Sequence, residues 1–221
     1  MKKSTPRRPL RTAADVQSLS TQPHFPIGTG KDGHVFAGRI RFAGRKRQRV
    51  AVKKFHTPLN DVQAARYQKI IQRLYDAGVS IPKMGMIKTP AGEWVLVTQL
   101  YGSTEKGSRL GGIFFKHPHA KRDAIIQATR ITNAGFSPVE DIIEPFHDQR
   151  KGAIPIDIHS LFERPLREDI RYRVEKLMEY IHFVEPDPRR QPRYVRMAIQ
   201  NATPAVKRAI QRHLLSPGGR P

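Results

Sequence analysis

Residues 27–53 read IGTGKDGHVFAGRIRFAGRKRQRVAVK, and the division of this run into strands and turns decides the fold. Ile27-Gly28-Thr29-Gly30-Lys31-Asp32-Gly33-His34-Val35 is a G-x-G-x-x-G-x-V pattern. Alone it is weak, because glycines are common in turns and the same spacing opens dinucleotide-binding folds. There the run passes from a strand into a helix. Here the residues after Gly33, HVFAGRIRF, are β-like, which predicts a glycine hairpin between two strands. Such a hairpin lets backbone N–H groups approach phosphate oxygens with no Cβ in the way. A basic turn, AGRK, leads to a further strand, QRVAVKKF, which carries Val50-Ala51-Val52-Lys53. A lysine in a strand is most often merely solvated, but the V-A-x-K pattern places an ammonium on nucleotide phosphates.

Outward from this run, LNDVQAARYQKIIQRLYDAG reads as a helix. Asn60 or Asp61 can cap it, apolar residues recur at Ala64, Tyr67, Ile70, Ile71 and Leu74, and Gly78 can end it. MGMIKTPAGEWVLVTQL reads as a hairpin about Pro90-Ala91-Gly92. Tyr101-Gly102-Ser103 reads as a linker. A helix follows from about Pro118 to Ala134, and from Arg167 onward the chain is helical, with Thr203-Pro204 as N-cap and first-turn proline of the last segment. The expected class is α+β, with a disordered basic tail or secretion signal at 1–24, a small β-rich lobe with one helix at 25–102 and a helical lobe at 103–221.

The chain has 221 residues and a formal net charge of +21. That excess favours anionic partners: nucleotide phosphates, acidic protein surfaces, nucleic acid or anionic lipid. Nucleic acid is the less favoured, since aromatic residues are not interleaved with the basic clusters as a stacking platform needs. No run of about 18 apolar residues is present, so no membrane span is expected. The basic N-terminus lacks the apolar core of a Sec signal. Cysteine is absent, which removes disulfides and thiolate metal sites.

The segment GFSPVEDIIEPFHDQRKGAIPIDIHS, residues 135–160, concentrates acids. Asp157 ends the strand-like IPID, and a lone carboxylate there either caps a turn or binds something. Glu140-Asp141 stand near the end of the preceding helix. His147-Asp148 lie between, and a solvent-facing turn is the plain reading of that pair.

Glycine hairpin, VAVK, helix, second hairpin and linker, in that order, resemble the protein-kinase-like superfamily over residues 25–102. The resemblance implies a bilobal protein-kinase-like fold with a reduced helical C-lobe, and ATP and Mg²⁺ as ligands. Ile27, Gly28, Gly30, Gly33, Val35, Ala51, Lys53, Gln99 and Tyr101 would surround the nucleotide, with Thr98 in the gatekeeper place. Asp157 would bind metal, and Asp148 is a candidate second ligand. The base would be Asp141, with Glu140 next. In a second alignment Asp141 takes the metal-binding asparagine's place and the base position falls on Phe136. The family's helix glutamate, which orients the lysine, falls near Gln68, so the anchoring of Lys53 departs from the pattern.

No long activation segment follows Asp157. In this the sequence resembles the minimal effector kinases injected by type III secretion systems, which share the Pro155-Ile156-Asp157 motif. One group of those phosphorylates the host's ninety-kilodalton heat-shock chaperone. The implied function is a monomeric protein Ser/Thr kinase, secreted by bacteria into the host cytoplasm, or otherwise cytoplasmic, and acting on a host protein. Alternatives are an ATP-binding pseudokinase, a small-molecule kinase, and a basic module that binds nucleic acid or another anionic partner.

Overall fold

A computed structural model describes residues 16–42, 46–99, 115–138, 142–145, 149–155, 158–162, 164–165 and 168–216. The chain forms two compact units, one of Met1–Tyr75 and Pro82–Gly102, the other of Asp76–Ile81 and Ser103–Pro221. The described residues are α+β, with a five-stranded antiparallel sheet, a two-stranded sheet and five α-helices.

In the first unit the strands are β1 (Val16–Gly30), β2 (Gly33–Phe42), β3 (Gln48–Phe55), β4 (Met84–Lys88) and β5 (Trp94–Gln99). Helix α1 (Asp61–Asp76) is inserted between β3 and β4. The sheet order is β1-β2-β3-β5-β4. Period-two alternation sends Ile40, Phe42, Val50, Val52, Val95 and Val97 into one core with Ile87, while Arg39, Arg41 and Arg49 stay exposed. Helix α1 buries Ile70, Ile71 and Leu74. Tyr75 ties its end to the sheet by donating to the Pro82 carbonyl (2.6 Å) and accepting from the Met84 N–H (3.0 Å). Its start is a capping box, in which Asn60 Oδ1 accepts from the Gln63 N–H and Gln63 Oε1 from the Asn60 N–H.

The first strand corrects the expected boundary at Phe25. It starts at Val16, opposite Phe42, so residues 16–24 belong to the sheet and not to a tail. Register shifts between Val16 and Ser18, and again between Thr21 and Pro26, break the period-two signal. Val16 and Leu19 nevertheless pack against the core, which rewards the pairing.

The second unit holds α2 (Pro118–Ala134), β6 (Ile143–Pro145), β7 (Ala153–Pro155), α3 (Ile170–Val184), α4 (Gln191–Asn201) and α5 (Pro204–Leu215). Helix α2 packs against α3, α4 and the β6–β7 ladder. It stops at Gly135, whose φ of 104° suits glycine, with the Phe136 N–H returning to the Ile131 carbonyl. Asn133 joins α2 to the other helices, donating to the Asn201 carbonyl and accepting from the Thr203 N–H. Thr203 occupies the expected N-cap of α5, but its side chain makes no capping bond. Among the described residues no helix is long and apolar enough to cross a membrane.

Candidate phosphate-binding site

The glycine run forms the predicted hairpin. Gly30 pairs with Gly33, Lys31-Asp32 make the turn, and Gly28 pairs with Val35. Across the next ladder Val35 pairs with Lys53 and Ala37 with Ala51. Directly opposed residues share a face, so Val35 and Lys53 lie together, with Ala51 two positions along. Ala51 pairs in turn with Thr98 of β5. Ile27 stands at a register shift and is half exposed, at 51%. Gln99 ends β5, and its N–H donates to the Lys83 carbonyl (2.7 Å). Tyr101 lies outside the described residues.

The three glycines are not equivalent. A Cβ at Gly33 would fall onto the carbonyl oxygen of Lys54, so the fold itself requires glycine there. A Cβ at Gly28 would meet only the Val35 Cβ at 3.9 Å, and one at Gly30 would meet nothing within 4 Å. The space beside Gly28 and Gly30 is open to a ligand's approach.

Lys53 Nζ lies 3.9 Å from Asp32 Oδ2, with side chains 17% and 30% exposed. It also stands 5.7 Å from the centre of the Phe55 ring, which packs on Tyr67 of α1. Asp32 is held in place because the His56 N–H donates to its carbonyl (3.0 Å). The His56 ring contacts the Gly30 carbonyl (3.3 Å) and lies edge-on to His34 (4.7 Å), and His34 meets the Thr29 hydroxyl (3.2 Å). The hairpin tip is thus tied to the end of β3.

Sequence reasoning sought the acid partner of Lys53 on α1 and missed Asp32. The missed signal was the turn: Lys31-Asp32 are its two residues, the β2–β3 register sets Asp32 beside His56, and its carboxylate reaches back toward Lys53. Gln68 gives its amide oxygen, the atom a lysine would use, to the Met86 N–H (3.0 Å). Asp61 accepts from Trp94 Nε1 (2.6 Å) and Lys88 Nζ (2.9 Å). These two donors, the indole first, hold its carboxyl below the ordinary value.

Glu140, Asp141, Asp148 and Asp157 lie outside the described residues. Next to them, β6 pairs with β7 from Ile143↔Pro155 to Pro145↔Ala153. In sequence, Asp141 precedes Ile143 by two positions and Asp157 follows Pro155 by two. Among the described residues no three His, Asp or Glu side chains converge on a metal position. No protein-family model matches the sequence, and no curated protein is significantly similar to it.

Proposed function

We propose that the protein is a minimal protein Ser/Thr kinase that transfers the γ-phosphate of ATP to a protein hydroxyl. The observation that carries this reading is the cross-strand pair Val35–Lys53 beneath the Gly28–Gly33 hairpin. It sets one ammonium on the third strand beside a backbone hairpin whose Gly28 and Gly30 leave room for phosphate oxygens. The helix inserted after the third strand, and the β4–β5 hairpin after it, agree with the same reading.

In this reading Gly28 and Gly30 admit the phosphates, Gly33 shapes the hairpin, and Lys53 orients the phosphate chain. Ile27, Val35 and Ala51 flank the base, with Gln99 and Tyr101 at its edge. Asp141 accepts the proton of the substrate hydroxyl, Glu140 being next in line, while Asp157 and Asp148 hold Mg²⁺. The metal supplies charge neutralisation between the phosphate oxygens. The bacterial effector role, with a host protein such as a heat-shock chaperone as substrate, rests on the sequence resemblance alone.

A second reading is an ATP-binding pseudokinase, in which Lys53 is held by an acid of the turn and does not orient the phosphates for transfer. Lys53 faces an acid on the hairpin itself, where nucleotide phosphates would meet like charge. Incubation of the purified protein with radiolabelled ATP and Mg²⁺, alone and with host lysate, separates the readings. Label transfer that is lost in Lys53→Ala and Asp157→Ala supports the kinase. A melting-temperature shift with Mg²⁺-ATP but no transfer supports the pseudokinase, and neither response overturns both.

A further inference from the structure

On the face of the sheet opposite the Ile40–Val50 core, β1, β2, Arg47 and the start of β3 line an open cavity of about 460 Å³. Its polar lining is Ser20, Thr21, Arg39, Arg47 and Arg49. Arg39 and Arg49 are direct cross-strand partners. Like charges directly opposed on an antiparallel pair destabilise it, and arginine does not escape by losing its proton. Among the described residues no carboxylate forms an ion pair with Arg39, Arg47 or Arg49. The unit's described acids are Asp32, Asp61 and Glu93, and the first two are engaged by Lys53 and by Lys88 with Trp94. Two opposed guanidiniums with no ion-pair partner among the described residues cost stability in the free protein, and an anion between them would offset that cost.

We propose that this cavity binds a small, multiply phosphorylated anion. The Arg39 and Arg49 side chains start about 5 Å apart, close enough for both forks to grip one phosphate group. Arg47 stands two positions upstream of Arg49, about 7 Å back along an extended chain, and reaches a second phosphate. The Thr21 hydroxyl donates to an outer oxygen, while the Ser20 hydroxyl donates to the Arg39 carbonyl (3.5 Å). Among the described residues no aromatic side chain lines the cavity to stack a nucleobase. The arginines stand apart from the phosphate position at Lys53, which lies four positions along β3 from Arg49, about 13 Å away, although the cavity's Ala37 wall pairs with Ala51, beside the base in the proposed function.

Calorimetric titration of the full chain with inositol hexakisphosphate and with pyrophosphate, at about 0.15 M salt to screen diffuse attraction, tests this. Three variants accompany the native protein: Arg39→Gln/Arg49→Gln, Lys53→Ala, and the control Arg208→Gln/Arg212→Gln on the exposed face of α5. The expected result is binding that weakens at least about tenfold in the Arg39/Arg49 variant, through loss of two charged donors, and stays within about twofold in the others. Arg47→Gln gives the same direction with less change should the double variant fold poorly. Equal loss in the α5 control would show general charge attraction and overturn the site, as would no binding of either probe. Displacement of the bound probe by a single-stranded oligonucleotide, with the same Arg39/Arg49 dependence, would reassign the cavity to nucleic acid. Loss confined to Lys53→Ala would place the phosphates at the hairpin and leave the kinase reading standing without this one.

Discussion

Lys53 Nζ and Asp32 Oδ2 lie 3.9 Å apart, joining the third strand to the turn of the glycine hairpin. The acid beside the lysine belongs to the hairpin, so on the proposed function the loop that would cover a phosphate chain also carries the group a phosphate would have to displace. Both side chains are partly exposed, which keeps the pair weak and exchangeable.

Asp32→Asn is expected to tighten Mg²⁺-ATP binding. One charge removed at about 4 Å from a phosphate oxygen is worth on the order of 1 kcal/mol in water, or roughly fivefold in affinity. Fluorescent-nucleotide titration at low and high salt measures it, and the gain should shrink as salt rises. Weaker binding in the variant would instead make Asp32 a positioning residue for Lys53.

Gly33→Ala and Gly30→Ala should separate folding from ligand approach. The first drives a methyl group into the Lys54 carbonyl and is expected to lose about 1–3 kcal/mol of stability in urea denaturation. The second meets open space and should stay within about 0.5 kcal/mol of the native protein. On the proposed function it should still weaken ATP binding, and unchanged affinity would count against a phosphate over the hairpin.

Trp94, the single tryptophan, reports on Asp61 through its indole hydrogen bond. The Asp61 carboxyl titrates below its ordinary value of 3.8 because Trp94 and then Lys88 stabilise its charged form. A folded-state value below the unfolded one contributes stability that is present above the unfolded value and lost as pH falls through the folded one. Tryptophan emission should therefore step at a pH below 3.8, and the step should vanish in Asp61→Asn.

Two helix starts that look alike in sequence should respond differently. Asn60→Ala removes half of a capping box and is expected to cost about 1 kcal/mol. Thr203→Ala removes no capping bond, because the Thr203 N–H is held by Asn133 and its side chain caps nothing. Its cost should stay below about 0.5 kcal/mol. Denaturant midpoints of the two variants decide, and equal losses would refute the distinction.

What could be read without coordinates was what local chemistry dictates. Helix α2 was legible from about Pro118 to Ala134, because a first-turn proline and a terminal glycine act within a few residues. The glycine hairpin was legible because β-like residues follow it directly, and Lys53 because VAVK is contiguous. The start of β1 was not legible, since its irregular pairing hides the alternation and Val16 meets Phe42 only through the sheet. The same holds for Asp32 against Lys53, for the Lys54 carbonyl that makes Gly33 obligatory, and for Arg39 opposite Arg49. Each joins residues whose separation along the chain says nothing of their distance in space. Sequence alone determined most of the elements and the residue types they carry; strand register decided where β1 begins and which charges meet.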